Sequence, residues 1–137
     1  MTIKTRKQQI LDSKTVADIF RQILSVEDFV DQDKEHLWTV GLDGKNRIKY
    51  AELVSLGTLN MSLAHPREIF RFAIMQSVAA LIICHNHPSG DKTPSNVDND
   101  LTKRLQAAGE ILGINLLDHV IITTDTFYSY ADDGKIA

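Results

Sequence analysis

Cysteine is nearly absent from the sequence, which contains only Cys84 among its 137 residues. A single thiol excludes an intrachain disulfide framework and a zinc site built from several thiolates. It also excludes the zinc deaminase pattern, which requires a His-x-Glu and a Pro-Cys-x-x-Cys pair. Cys84 itself is expected to be a buried strand residue. A reducing compartment, the cytoplasm, is the expected location.

Long apolar runs are also lacking. The longest, residues 78–84, is far too short to cross a bilayer. The first thirty residues contain no apolar run after a basic start, so we expect no signal peptide and no membrane association. The chain has no repeats, and its length predicts one compact domain.

The sequence has no surplus of basic residues, since its net charge is −3 at pH 7. Duplex-binding domains usually show a basic surplus or stripe. The basic cluster of Lys4, Arg6 and Lys7 is short and near the N-terminus, and we interpret it as a solvated tail. Charge can segregate by face, so nucleic-acid binding is not excluded, but composition does not support it.

The spacing of apolar residues predicts alternating helices and strands. Asp12 precedes a helical pattern that continues to about Leu24, and Asp43-Gly44 is a strong hairpin signal. One predicted helix covers residues 13–24, and a second begins at Pro66. A third covers residues 96–112 and is terminated by Gly113. The predicted strands cover residues 37–40, 48–56, 79–84, 120–124 and 126–130. Together they indicate a three-layer α/β domain with a mixed sheet.

The most informative segment begins where the apolar strand 79–84 ends. His85 and His87 are two residues apart, so both imidazoles point to the same face of the strand. A ten-residue loop rich in glycine, proline and serine then leads to Asp98, in the first turn of a helix. Two imidazoles and one carboxylate are typical of a catalytic zinc, which keeps its fourth position for water.

The same residues have simpler interpretations. Ser95-x-x-Asp98 fits a helix capping box, and capping would compete with a metal for the Asp98 carboxylate. A His-x-His pair on a strand is, by itself, more often a surface or core feature than a metal site. On the residues alone, both interpretations remain open.

The whole pattern resembles a known motif. His-x-His, ten residues and Asp, with a serine three residues before that Asp, looks like the JAMM (MPN+) motif, and His-Asn-His-Pro-Ser-Gly-Asp is similar to its RadC branch. The branch's other blocks are matched by Gly57-Thr58-Leu59, His65-Pro66-Arg67-Glu68 and Leu117-Asp118-His119. The resemblance covers residues 29–130. It implies a curved mixed sheet flanked by helices, with a cytidine-deaminase-like architecture, over residues 28–137, preceded by a helical extension over residues 1–27.

The resemblance also implies a chemistry. Its zinc ligands would be His85, His87 and Asp98, with one Zn²⁺ per chain, and Ser95 would hold the water or steady the oxyanion. A glutamate at the start of an early strand would be the general base. Glu35 matches best, with Glu52 and Glu68 as rivals. The implied function is a metallohydrolase that cuts a peptide or isopeptide amide in a peptide or protein substrate.

A second class of function competes with this one. RadC proteins are associated with DNA maintenance, so an accessory zinc-binding module is the alternative. They usually carry an N-terminal helix-hairpin-helix region, whereas here only about thirty residues without such a repeat precede the core. The letters His-Asn-His do not indicate an HNH nuclease, which spreads those residues along a ββα unit.

The remaining polar residues have more modest predicted roles. His119 is expected to hold a turn or strand end, and His65 to cap the following helix. His36 should share a strand face with Trp38. The candidates for lining the site are Asn86 and Ser89.

Because the chain is acidic and has no basic stripe, we expect it to bind duplex DNA no more tightly than the micromolar range at about 150 mM salt. Titration of a fluorescently labelled duplex measures this affinity. A nanomolar complex whose affinity falls steeply with salt would contradict the prediction.

Overall fold

A computed structural model describes residues 8–57 and 64–136. Lys4, Arg6 and Lys7 lie outside these residues, as do Thr58 and Leu59 of one RadC-like block. The helices are α1 (Ser13–Ser25), α2 (Phe29–Gln32), α3 (Pro66–Met75) and α4 (Asn96–Leu112). The strands are β1 (His36–Leu42), β2 (Ile48–Leu56), β3 (Ala80–Asn86), β4 (Asn115–Ile122) and β5 (Phe127–Ser129). Among the helices of this described part, none is long and apolar enough to cross a membrane.

The strands form one mixed sheet in the order β2-β1-β3-β4-β5. β1 is antiparallel to both β2 and β3, β3 is parallel to β4, and β5 returns antiparallel to β4. Every residue of the central strand β3 is buried, which confirms its prediction as a strand covered on both faces. Its C-terminal end brings His85 opposite Leu37 of β1 and Ile121 of β4.

Helices cover both faces of the sheet and complete three layers, as predicted. On one face, Val16 and Phe20 of α1 pack around Trp38. On the other face, residues of α3 and α4, such as Phe70 and Leu101, form a second core. The α1 layer therefore joins the predicted N-terminal extension to the sheet, while the boundary between residues 27 and 28 stays a prediction.

Local signals in the sequence set most element boundaries. Asp12 caps α1 by accepting a hydrogen bond from the Thr15 amide, and Gly113 ends α4 in the left-handed conformation. β2 and α4 have the predicted bounds. The four-residue helix α2 was not predicted.

The prediction that the penultimate strand begins at residue 120 is wrong, since β4 begins at Asn115. Polar Asp118 and His119 interrupt the apolar pattern on which the prediction depended. Both side chains are buried, and buried polar groups need hydrogen-bond partners. Asp118 accepts hydrogen bonds from the Ser129 hydroxyl and the Ala131 amide. His119 therefore lies inside a strand rather than at a turn.

Gly109 lets the end of α4 approach the start of β4, because an added Cβ would lie 2.3 Å from the Ile114 carbonyl oxygen. Although alanine is the better helix former, we expect Gly109→Ala to lower the free energy of unfolding by about 1–3 kcal/mol through this overlap. Urea denaturation measures the change. The control is Ala107→Gly on the exposed face of α4, which should lose about 1 kcal/mol by propensity alone. A stabilised Gly109→Ala would contradict the packing argument.

Candidate metal centre

His85, His87 and Asp98 converge at the C-terminal end of β3. The Nε2 atoms of the two imidazoles lie 2.9 Å apart. One Asp98 carboxylate oxygen is 3.1 Å from His85 Nε2 and the other is 3.2 Å from His87 Nε2. One potential ligand atom from each residue lies within 4.8 Å of the others, so the three side chains form a group that can hold a metal ion.

The loop after β3 folds back through its own hydrogen bonds. The His87 amide donates to the Ile122 carbonyl, which extends the β3–β4 pairing by one residue. Gly90 then adopts a φ of 88°, and its amide donates to the His87 carbonyl. The Nδ1 of His87 lies 2.8 Å from the Asp91 carbonyl oxygen. That carbonyl can only accept, so it holds the proton on Nδ1 and leaves the Nε2 lone pair facing the other two side chains.

The capping box at the start of α4 and the metal centre share the Asp98 carboxylate. Its Oδ2 accepts a hydrogen bond of 2.8 Å from the Ser95 amide, while the Asp98 amide donates to the Ser95 hydroxyl. The cap uses Oδ2, which also faces His87, while Oδ1 faces His85, so the capping box leaves one carboxylate oxygen outside the cap.

Burial alone would raise the pKa of Asp98, but its close contacts with His85 and His87 lower it well below its ordinary value. The carboxylate is therefore ionised. The neighbouring Asp98 carboxylate in turn raises the pKa of His87, against the opposing effect of burial. A negative charge beside two converging imidazole nitrogens is a suitable environment for a divalent cation. Two nitrogen ligands and one carboxylate fit the donor set of zinc and leave one coordination position for a further ligand.

Glu35 shares a cleft with this group. The cleft encloses about 320 Å³ and is lined by Glu35, His87, Pro88, Ser89, Ser95, Val97 and Asp98. Glu35 directly precedes β1, whose Leu37 is paired with His85, and this register brings it to the same end of the sheet. Ser95 and Ser89, two other predicted site residues, also line the cleft.

Glu52 and Glu68 are not among the described residues that line this cleft. Glu52 lies on β2, where it pairs with Thr39 of β1. Because β1 lies between β2 and β3, it separates Glu52 from β3. Burial raises the pKa of Glu52, with Arg71 and Glu68 as its charged neighbours. Glu68 lies in the first turn of α3, 3.7 Å from Arg67.

Three further predictions about single residues are confirmed. His65 caps α3 by accepting from the Arg67 amide at 3.0 Å, and His36 stacks on Trp38 with ring centroids 5.0 Å apart. Cys84 is fully buried in β3.

Two residues have contacts that sequence reasoning missed. The Asn86 side chain accepts a hydrogen bond from the His36 amide at 2.6 Å and donates to the Lys34 carbonyl at 3.0 Å. It therefore holds the peptide groups on both sides of Glu35. His119 lies directly behind His85, with its Nε2 2.8 Å from His85 Nδ1. Burial holds the pKa of His119 well below its usual range, so its imidazole is neutral.

The mixed sheet between helical layers has a His-His-Asp group at the end of its central strand. This arrangement is consistent with the class of JAB/MPN-like domains. The family model described as the RadC-like JAB domain matches residues 10–135. The chain belongs to this family.

Curated relatives support the assignment. The chain is similar to the UPF0758 protein of Geotalea uraniireducens (strain Rf4), with 51% identity over 109 residues, which cover 80% of this chain and 48% of the relative. It is also similar to the UPF0758 protein of Desulforudis audaxviator (strain MP104C), with 55% identity over 102 residues, which cover 74% and 44% of the two chains. The chain thus spans about half the length of the curated relatives it matches.

Because His87 contributes one of three converging ligand atoms, His87→Ala should lose most of the bound metal. We expect about one equivalent of zinc per chain in the reconstituted wild type, since the group can hold a single ion. Elemental analysis after gel filtration measures the content. The control is His65→Ala, which removes a histidine that caps α3 and should retain the metal. Equal metal content in His87→Ala and the wild type would contradict the site.

Proposed function

We propose that the domain is a zinc-dependent hydrolase that cleaves a peptide or isopeptide amide. The observation that carries the proposal is the shared cleft, in which Glu35 and Ser95 line the same space as His87 and Asp98. Membership of the RadC-like JAB family supports metal-dependent hydrolysis as the type of reaction. The three donor side chains are the residues that would hold the zinc ion.

A zinc ion held by His85, His87 and Asp98 would supply Lewis acidity, which brings the pKa of bound water towards about 7. Glu35 accepts the proton of the attacking water at its carboxylate and then delivers it to the leaving amide nitrogen. Asn86 holds the peptide groups on both sides of Glu35 and so fixes the backbone from which this side chain extends. Proton transfer is therefore the contribution that Glu35 makes at its side of the cleft.

Ser95 has a second role besides capping α4. Its Oγ accepts the hydrogen bond from the Asp98 amide, which leaves the hydroxyl hydrogen for donation. Since Ser95 also lines the cleft, we assign that hydrogen to the substrate oxygen that becomes negative during attack.

The cleft suits an extended chain more than a small molecule. Pro88, Ser89 and Val97, three of its lining residues, are exposed side chains near the loop and the start of α4. An open site of this kind lets a polypeptide lie across the metal centre with its backbone carbonyl towards His87. A protein or peptide substrate is therefore the proposed partner.

Glu35→Gln keeps the size and hydrogen bonding of the side chain but removes its basicity. We expect zinc content and melting temperature to stay at the wild-type values, while amide hydrolysis falls by at least ~10²-fold. Turnover is measured with fluorogenic peptide and isopeptide-linked substrate libraries. The matched control is Glu52→Gln, a glutamate on β2 away from the cleft, which should retain activity.

Activity that survives Glu35→Gln but collapses in Glu52→Gln would show that the base is assigned to the wrong strand. A zinc-loaded wild type that turns over no amide in these libraries would contradict the hydrolase proposal. It would favour the alternative, an accessory zinc-binding module.

A further inference from the structure

A chain of buried polar groups extends from His85 through His119 to Thr102, and neither His119 nor Thr102 is among the described residues that line the cleft. His119 is fully buried in β4, and its Nε2 is 2.8 Å from Nδ1 of His85. Its Nδ1 is 2.6 Å from the Thr102 hydroxyl on α4. That hydroxyl donates to the Asp98 carbonyl at 2.9 Å. The chain therefore starts at one potential ligand and ends at the backbone of another.

The direction of each hydrogen bond follows from the number of protons available. Thr102 uses its one hydroxyl hydrogen on the Asp98 carbonyl, so its oxygen accepts from the Nδ1–H of His119. An imidazolium buried here would be unfavourable without a carboxylate in contact, so His119 is neutral and its Nε2 can only accept. His85 must therefore carry its proton on Nδ1, which leaves its Nε2 lone pair facing His87 and Asp98.

The orientation of the His119 ring is fixed by packing as well. The ring stacks on Tyr130, with centroids 4.7 Å apart and planes 11° from parallel. The Tyr130 hydroxyl donates to the Asn99 side chain of α4 at 2.7 Å. His119 is thus held on its face by Tyr130 and at its edges by Thr102 and His85.

We propose that His119 is a positioning residue for the metal centre: with Thr102, it fixes the ligating tautomer of His85 and ties β3 to the α4 turn that carries Asp98. The inference rests on the metal centre of the proposed function but not on the hydrolytic reaction. A histidine with only a packing role would contribute side-chain volume to the core. His119 in addition contributes a hydrogen-bond acceptor, its Nε2, to Nδ1 of His85.

The test measures zinc affinity by competition with a chromophoric chelator. His119→Leu replaces the imidazole by an apolar side chain of similar size that has no hydrogen-bond acceptor. It should weaken zinc binding by about 10–100-fold. His119→Gln places an amide near the position of Nε2, where its oxygen can accept from His85, and it should recover most of that loss. Thr102→Val, which removes the anchor of His119 but not the acceptor, should fall between the wild type and His119→Leu.

A control separates this effect from general destabilisation. Phe20→Leu alters the core on the α1 face of the sheet, and it should lower the melting temperature while zinc affinity stays within about twofold of the wild type. Nitrogen-15 NMR of the histidine side chains in the zinc-loaded wild type should show His85 protonated at Nδ1. This second measurement needs no variant to fold.

The outcomes distinguish the inference from the proposed function. Zinc retained in His87→Ala would overturn the metal centre itself. Zinc lost in His87→Ala but bound with wild-type affinity in His119→Leu would overturn only the role of His119. So would equal losses in the Leu and Gln variants, or an NMR spectrum with His85 protonated at Nε2. Failure to hydrolyse any amide leaves this inference unaffected, because no readout depends on turnover.

Discussion

The Asp98 carboxylate lies where the end of β3, the start of α4 and the loop between them meet. It accepts from the Ser95 amide, which begins the helix, and it faces both imidazoles, which end the strand and open the loop. A buried ionised carboxylate is unfavourable unless hydrogen bonds and positive charge compensate it. The Ser95 amide supplies one such hydrogen bond, and a divalent cation held by the carboxylate and the two imidazoles would supply the positive charge. The position of α4 and the chemistry of the centre therefore depend on the same group.

The surroundings of this carboxylate differ on its two sides. Behind it, the hydrogen bonds through His119 and Thr102 are buried and connect β3, β4 and α4. In front of it, the cleft is open, and Glu35 and Ser95 border it. The proposed hydrolysis would use both sides, since buried hydrogen bonds would keep the ligands in place while Glu35, at the cleft, moves a proton.

The matched relatives extend over about twice the length that this chain covers, so the chain corresponds to a part of them. The described elements nevertheless provide the whole of the candidate site. Glu35 comes from the segment before β1, the three potential ligands from β3, the loop that follows it and α4, and His119 from β4. The groups that the proposed chemistry uses thus come from one end of the sheet of 5 strands and from the start of α4.

The features that depend only on neighbouring residues follow from the amino-acid sequence. Two histidines two residues apart share a strand face, and a serine three residues before an aspartate forms a helix cap. A glycine such as Gly113 ends a helix independently of the tertiary structure around it. These local rules predicted β3 and α4, and the resemblance to the JAMM motif, rather than the local rules, implied that His85, His87 and Asp98 act together as ligands. The tertiary structure alone decided which glutamate borders the cleft, since that choice depends on the register of β1 against β3. It also decided that His119 lies in β4 behind His85, 34 residues away in the chain, and that Asn86 reaches the peptide before His36, 50 residues away. Such contacts depend on which strands become neighbours in the sheet, and residue spacing along the chain carries no record of that arrangement.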